Sequence, residues 1–283
     1  MFLLYLAGAA LLVYLGLTAW LWFSQESLLY HPGGDPGPPP PGWREVPFRT
    51  ADGLELKGWF RPGKPGAGAV LYLHGNAGNR KDALEEAVLF QDSGAALFFP
   101  DWRGFGGNPG RPSEEGLYMD GLAALDALAR EAGVESSSIV AAGRSLGSAV
   151  AVELALRRPL RALILLTPFT SIPDVGASLY PWAPVRLLCR DRFDQLSRAG
   201  KLDLPVLIVA AQEDHLAPPS MGRRLAARIR RARFYLVPQA GHGDLVFRGG
   251  KALAAEISAF LEANGPGGAG EAKAPPGHPD GGG

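Results

Sequence analysis

Gly143-Arg144-Ser145-Leu146-Gly147 stands between the apolar stretch 139–142 and the helix-forming stretch 148–156. A serine so placed sits where a strand turns sharply into a helix, which narrows the folds open to the chain. The flanking glycines have a physical purpose. Such an elbow holds its central residue in a strained backbone conformation, and bulky neighbours at either end would collide as strand and helix close together. As a bare string G-x-S-x-G is a weak signal; the strand before it and the helix after it make Ser145 a candidate nucleophile.

Partners for such a serine follow in the order Ser, acid, His. Asp214 comes just after Pro205-Val206-Leu207-Ile208-Val209-Ala210, a β-branched apolar run that reads as a buried strand. His242 comes just after Phe234-Tyr235-Leu236-Val237. Each group therefore falls past the end of a strand, at the edge of a parallel sheet where distant residues converge. A serine hydroxyl is a poor nucleophile at neutral pH and needs an imidazole to take its proton; a carboxylate then orients the ring and stabilises its charged form. Among the five histidines, His31 and His278 lie in Pro/Gly-rich segments, and His215 is a weaker base candidate than His242 because it adjoins Asp214. For the acid, Glu213 and Asp174 stay open beside Asp214, with helix capping the competing role for Asp174. Asp244 reads as a loop hydrogen-bonder.

A second strand-to-loop junction, Val70-Leu71-Tyr72-Leu73 into His74-Gly75-Asn76-Ala77-Gly78-Asn79, is glycine-rich and precedes a helical stretch. An oxyanion hole belongs there. Two backbone N–H groups have to be fixed in advance toward the developing negative oxygen, and the candidates are the amides of Leu146 and Asn76. His74 reads as a brace for the loop, since no second His or Cys lies at metal-ligand spacing, and Asn79 as a helix cap.

With these loops in view the chain resembles the α/β-hydrolase superfamily, in its membrane-anchored single-pass branch of the S33-like serine aminopeptidase type. The resemblance covers roughly residues 25–262 and also rests on QESLLYHP (25–32), HGNAGN (74–79), DWRGFG (101–106), TPFTSI (167–172) and RFD (192–194). It implies an eight-stranded, mostly parallel sheet, serine-hydrolase activity and the triad Ser145, Asp214 and His242. One departure concerns the acid loop, where such relatives usually carry His-Gly and this chain has Ala211-Gln212.

Hydrophobic periodicity agrees with that architecture. Residues 46–50 and 54–60, joined through Asp52-Gly53, read as an antiparallel hairpin at the sheet edge. Strands are expected at 69–73, 95–99, 138–142, 162–166, 205–210 and 233–237, and helices at 80–91, 114–132, 146–157, 217–231 and 250–262. This α/β alternation puts helices on both faces of the sheet. Between Thr167 and Pro205 there is room for a short, proline-interrupted lid, whose Trp182, Leu187, Leu188 and Phe193 either shield the site or pack under a long loop.

The stretch 2–23 holds no charge and no proline, and at about 1.5 Å per residue it is long enough to cross a hydrocarbon core of about 30 Å. Trp20, Trp22 and Phe23 suit an interfacial aromatic belt. A removable signal peptide is the competing reading; against it, the basic n-region and a small-x-small cleavage site are missing. Lys and Arg are too sparse near this segment to set its orientation. The chain is thus expected to divide into an anchor (1–24), a tether (25–44) whose stretch 32–42 is almost entirely proline and glycine, a hydrolase domain (45–263) and a disordered tail (264–283).

Equal counts of 28 basic and 28 acidic residues argue against a nucleic-acid partner. Locally, Arg224, Arg228 and Arg231 would share one helical face, either simply solvated or contacting anionic lipid headgroups. The single Cys189 permits no intrachain disulfide. The expectation is a membrane-anchored, single-pass serine hydrolase, esterase-, lipase- or thioesterase-like, cleaving a small-molecule or lipid-derived ester, thioester or amide. It would need neither metal nor organic cofactor. A serine peptidase or acyltransferase would use the same residues, and a non-catalytic binding protein on this fold is the alternative outside enzymes.

Overall fold

The longest apolar run of the chain folds as one helix, α1 (Phe2–Leu29), in a computed structural model that describes residues 1–265. The helix is long and apolar enough to cross a membrane, and its most apolar 18-residue stretch has no residue buried in the protein. It extends beyond the expected anchor boundary at residue 24. Ser24, Gln25, Glu26 and Ser27 continue the helix, with no proline or glycine between Gly16 and Pro32 to interrupt it. The segment expected to be a free tether is also held: Tyr30 is buried, and His31–Pro32 pairs in parallel with Ala77–Gly78. The expected tail lies, apart from its first two residues, outside the described residues.

β1 (Arg44–Arg49) and β2 (Glu55–Arg61) form the antiparallel hairpin, with Gly53 at φ +89° in its turn. β3 (Ala69–Leu73) and β4 (Ala96–Pro100) follow, then α2 (Glu114–Ala132), β5 (Ile139–Arg144), α3 (Leu146–Arg157) and β6 (Ala162–Leu166). The segment expected as a lid carries α4 (Ile172–Leu179), α5 (Val185–Leu188) and α6 (Gln195–Ala199). β7 (Val206–Ala211), α7 (Pro219–Ala226), β8 (Ala232–Val237) and α8 (Leu245–Ala263) complete the domain. The strands form one sheet in the order β8-β7-β6-β5-β3-β4-β2-β1, parallel from β8 to β4 and antiparallel at the β4–β2–β1 edge. This is the eight-stranded, mostly parallel sheet that the resemblance implies.

Successive residues of a strand point to opposite faces, so a parallel strand covered on both sides reads as an unbroken apolar run. Leu71 and Leu73 join the core beneath α2 and α3, whereas Val70 and Tyr72 join the core beneath α8. α2 starts and stops where its sequence dictates. Ser113 Oγ accepts from the Gly116 amide at 3.2 Å, and Gly133 ends the helix at φ +66°.

Three expected helices differ: the one expected at 250–262 begins already at Leu245, with a kink at Gly250 (φ +45°). The stretch read as a helix at 80–91 is a run of tight 3₁₀ turns over Asp82–Ser93. α7 ends at Ala226 instead of continuing to 231, because the chain must turn to enter β8 while burying Ile229. The arginine face expected there does not exist as a helical stripe. Arg224 lies 3.8 Å from Asp174, Arg230 pairs with Asp203, and Arg233 with Glu256. Of the four lid side chains, Phe193 is core, packed edge-on to Tyr118, while Trp182 and Leu187 are exposed.

Candidate active site

Ser145 occupies the junction of β5 and α3 at φ +49° and ψ −112°, a conformation L-residues rarely adopt. The surroundings compel it. The Ser145 amide donates to the Leu166 carbonyl at 2.9 Å, and the Ser145 carbonyl accepts from the Ser148 amide at 2.9 Å and the Ser148 hydroxyl at 2.5 Å. The glycines leave no alternative residue: a Cβ at Gly143 would lie 2.2 Å from the Gly147 carbonyl oxygen, and one at Gly147 only 2.0 Å from that of Leu73.

His242 Nε2 lies 3.1 Å from Ser145 Oγ, and His242 Nδ1 lies 2.7 Å from Asp214 Oδ2. The three candidates read from sequence therefore meet, although 97 positions separate Ser145 from His242. Asp214 is fully buried as a side chain, and its second oxygen accepts the amides of Leu216 at 2.9 Å and Ala217 at 2.8 Å. A buried carboxylate with every side occupied by donors stays in place and aims its remaining oxygen at the ring. Asp244 braces the histidine loop by accepting the Gly241 amide at 2.7 Å, and this bond, with Arg248, holds its carboxyl below the usual range.

The alternatives lie elsewhere. Asp174 accepts the Thr170 hydroxyl at 2.6 Å and pairs with Arg186. Its carboxyl loses solvation on burial, but these hydrogen bonds outweigh that and lower its pKa. His215 and Glu213 are exposed and contact neither Ser145 nor His242.

Asn76 and Leu146 both line the cavity into which Ser145 and His242 face. Leu146 is the first residue of α3, where an amide has no partner within the helix. The loop carrying Asn76 is pinned from two directions. Asn76 Nδ2 donates to the Leu29 carbonyl at 2.7 Å, and the Asn76 carbonyl accepts from the His31 amide at 2.8 Å. From the other side, Trp102 Nε1 donates to the His74 carbonyl at 3.3 Å, and buried Asp101 pairs with Arg80. His74 is buried against Trp102 and Phe105, with Nε2 3.3 Å from Asp101 Oδ1, so it braces the loop. Asn79 Oδ1 accepts the Lys81 amide at 2.9 Å within the loop, so Asn79 is not the helix cap expected: the turns begin at Asp82, and Lys81 at the cap position makes no side-chain capping bond. Among the described residues no three His, Cys, Asp or Glu side chains are grouped to hold a metal.

Two contributors escaped the sequence reading. Arg144 donates from Nη2 to the carbonyls of His242 and Gly243, both at 3.0 Å, while Nη1 pairs with buried Glu86. Burial raises the Glu86 carboxyl pKa, an effect Arg144 opposes. Gln195, fully buried, donates to the Phe169 carbonyl at 2.8 Å and lies 3.3 Å from the Ser148 hydroxyl. A charged residue inside the elbow pentapeptide was the available signal for Arg144.

The cavity measures about 400 Å³ and is lined mainly by apolar side chains from α1, α4 and α5. That size lies within the range of about 300–1,000 Å³ found for small-molecule sites.

Comparison with known proteins bears on family and fold. A family described as serine aminopeptidase, S33, matches residues 64–190, and one described as TAP-like protein matches residues 189–268. An uncharacterized protein of Mycobacterium tuberculosis is 40% identical over 257 residues, covering 88% of this chain and 92% of that protein. The α/β hydrolase domain-containing protein WAV2 of Arabidopsis thaliana is 30% identical over 242 residues, covering 78% of this chain and 79% of its own. Among solved structures, an esterase of Pyrococcus furiosus matches 83% of this chain and 97% of its own with a TM-score of 0.67 at 17% identity, a likeness of fold. On its sheet order, its elbow and these relatives, the chain belongs to the α/β-hydrolase family.

Proposed function

We propose that the protein is a membrane-anchored serine hydrolase that cleaves an ester, thioester or amide through an acyl-enzyme on Ser145. The observation that carries this reading is the unbroken series of contacts, 2.7 Å from Asp214 to His242 and 3.1 Å from His242 to Ser145. Ser145 Oγ attacks the carbonyl carbon while His242 Nε2 takes its proton, giving a tetrahedral oxyanion. Asp214 keeps the ring in the tautomer that presents Nε2 to serine and stabilises the imidazolium without taking its proton. As the intermediate collapses, His242 returns the proton to the leaving group and the acyl group remains on Ser145. Water then attacks with His242 as base, the acid departs, and the serine hydroxyl is restored.

The oxyanion is held by the Leu146 amide, at the positive end of α3, and the Asn76 amide. The pinning of the Asn76 loop favours this role, because a donor fixed beforehand costs no reorganisation during reaction. Anchoring rests on α1, whose exposed apolar surface is accounted for by lipid.

The deciding experiment compares the wild type with Ser145→Ala on p-nitrophenyl butanoate and with a fluorophosphonate probe. Wild type turns over the ester and is labelled; the variant, with an unchanged circular-dichroism spectrum, does neither. A folded, pure variant that still hydrolyses the ester would refute the assignment.

A further inference from the structure

The cavity beside Ser145 has an unusual wall. Leu21, Leu28 and Leu29 of α1 line it together with Val175, Leu179 and Leu188 of the α4–α5 segment, so the candidate anchor is also part of the site. Their association is specific. Gln25 Nε2 donates to the Leu188 carbonyl at 3.1 Å, Gln25 Oε1 accepts the Arg190 amide at 2.9 Å, and the Arg190 guanidinium lies 4.8 Å from the centre of the Trp22 ring. Tyr30 donates its hydroxyl to Asp191 at 2.8 Å, and Leu29 is tied to Asn76. Moving α1 away would open one side of the cavity and release the Asn76 loop.

The α4–α5 segment reaches along α1. Trp182 meets Tyr14 edge-on, with ring centroids 6.4 Å apart. Tyr14 lies about 12 Å along the helix from Trp22 at 1.5 Å per residue, well inside the charge-free stretch. Residues 175–185 carry no charge; Arg186, Arg190 and Arg192 follow in the sequence, and the Arg190 guanidinium sits beside Trp22, near the end of the charge-free stretch of α1. The exposed side chains match this placement: Leu179 is 53% exposed, Trp182 44% and Leu187 85%. Large apolar groups left open beside a spanning helix face lipid, while the arginines reach the headgroup level.

We infer that α1 and the α4–α5 segment form a portal from the bilayer to Ser145, and that the substrate is an ester of a long acyl chain drawn sideways from the lipid phase. This rests on the serine-hydrolase reading above and adds its substrate class. The chain lies between Leu28 and Val175, with its carbonyl against Ser145 and its remainder extending toward Trp182. An acyl group too short to reach past the carbonyl end gains nothing from that wall. Each methylene buried in an apolar site is worth about fourfold in affinity, so preference should climb with length.

The test uses the full chain in phosphatidylcholine nanodiscs and compares p-nitrophenyl butanoate with p-nitrophenyl dodecanoate. In the wild type kcat/KM rises at least about tenfold from butanoate to dodecanoate. Leu28→Trp on α1 and Val175→Trp on α4 each shrink that ratio to under about threefold. Trp182→Glu, which puts a charge at the lipid-facing apex, also lowers it. Equal or better turnover of butanoate, or a ratio that neither wall variant changes, overturns the portal while leaving the serine chemistry standing. Absence of turnover for both esters together with absence of fluorophosphonate labelling removes the serine-hydrolase reading, and the portal with it.

Discussion

Arg144 Nη2 lies 3.0 Å from the carbonyl oxygen of His242, so the residue preceding the candidate nucleophile also fixes the loop carrying the candidate base. The same nitrogen reaches the Gly243 carbonyl, and Glu86 holds the guanidinium from behind. On the proposed mechanism Arg144 is a positioning residue, acting through His242.

Arg144→Met is expected to lower kcat about 10- to 100-fold with KM changed less than about threefold, because a displacement near 1 Å at the base is enough for such a loss. It also leaves the Glu86 carboxyl buried without its partner. Adding Glu86→Gln should restore the lost thermal stability but not kcat. Steady-state kinetics and melting curves on both variants separate positioning from folding; recovery of kcat in the double variant would contradict the positioning role.

Gly147→Ala should fail for a different reason. Its Cβ would sit 2.0 Å from the Leu73 carbonyl oxygen, backbone against backbone, so α3 must move away from β3. The expected result is a fall in Tm of about 5 °C or more, with loss of fluorophosphonate labelling. Gly34→Ala, where a Cβ meets nothing within 4 Å, serves as the control and should melt as the wild type does.

These positions show why some of the molecule could be read from its sequence and some could not. β3, β6 and α2 were legible because buried parallel strands are continuous apolar runs and because Ser113 and Gly133 mark the helix ends. Ser145, Asp214 and His242 were legible as a set because each follows a strand. The role of Arg144 depends on Glu86, 58 positions away, and no local pattern reports a pairing of that kind. α7 was expected to be too long because the helical pattern continues through Ile229, where packing and the approach to β8 decide instead. Residues 25–44 read as a tether because proline and glycine content says nothing about docking, yet Gln25 and Tyr30 attach the start of that segment to the residues around Arg190.

Asp52 in the hairpin turn should govern part of the acid limb of stability. Hydrogen bonds from Arg103 first, and from Thr50 next, lower its pKa from 3.8 to about 2. A carboxyl with a folded pKa below its unfolded one contributes stability that is complete above the unfolded value and is lost as pH falls through the folded one. Urea midpoints measured between pH 5 and pH 2 should therefore decline less steeply in Asp52→Asn than in the wild type. Because the Asp52 side chain is 37% exposed, solvent screens the pair and the difference should be modest. Parallel curves for the two proteins would show that the Arg103 pairing does not contribute.

Cys189 offers a probe of the cavity that needs no substrate turnover. It is a free thiol on the cavity lining, and burial, only partly countered by Arg192, raises its pKa from 9.0 to about 11. Its Sγ donates to the Asp191 carbonyl at 3.1 Å, which further favours the protonated form. Since the thiolate is the reactive species, alkylation by iodoacetamide should be slow at pH 7.5 and should accelerate about tenfold per pH unit toward pH 10. A long-chain acyl phosphonate attached to Ser145 would fill the cavity and cover this thiol. It should slow alkylation at pH 9.5 severalfold, whereas a methyl phosphonate on the same serine should not. Equal protection by the two reagents would mean that the acyl chain does not extend along α1, and rapid alkylation at neutral pH would mean that the thiol is not shielded by the walls described above.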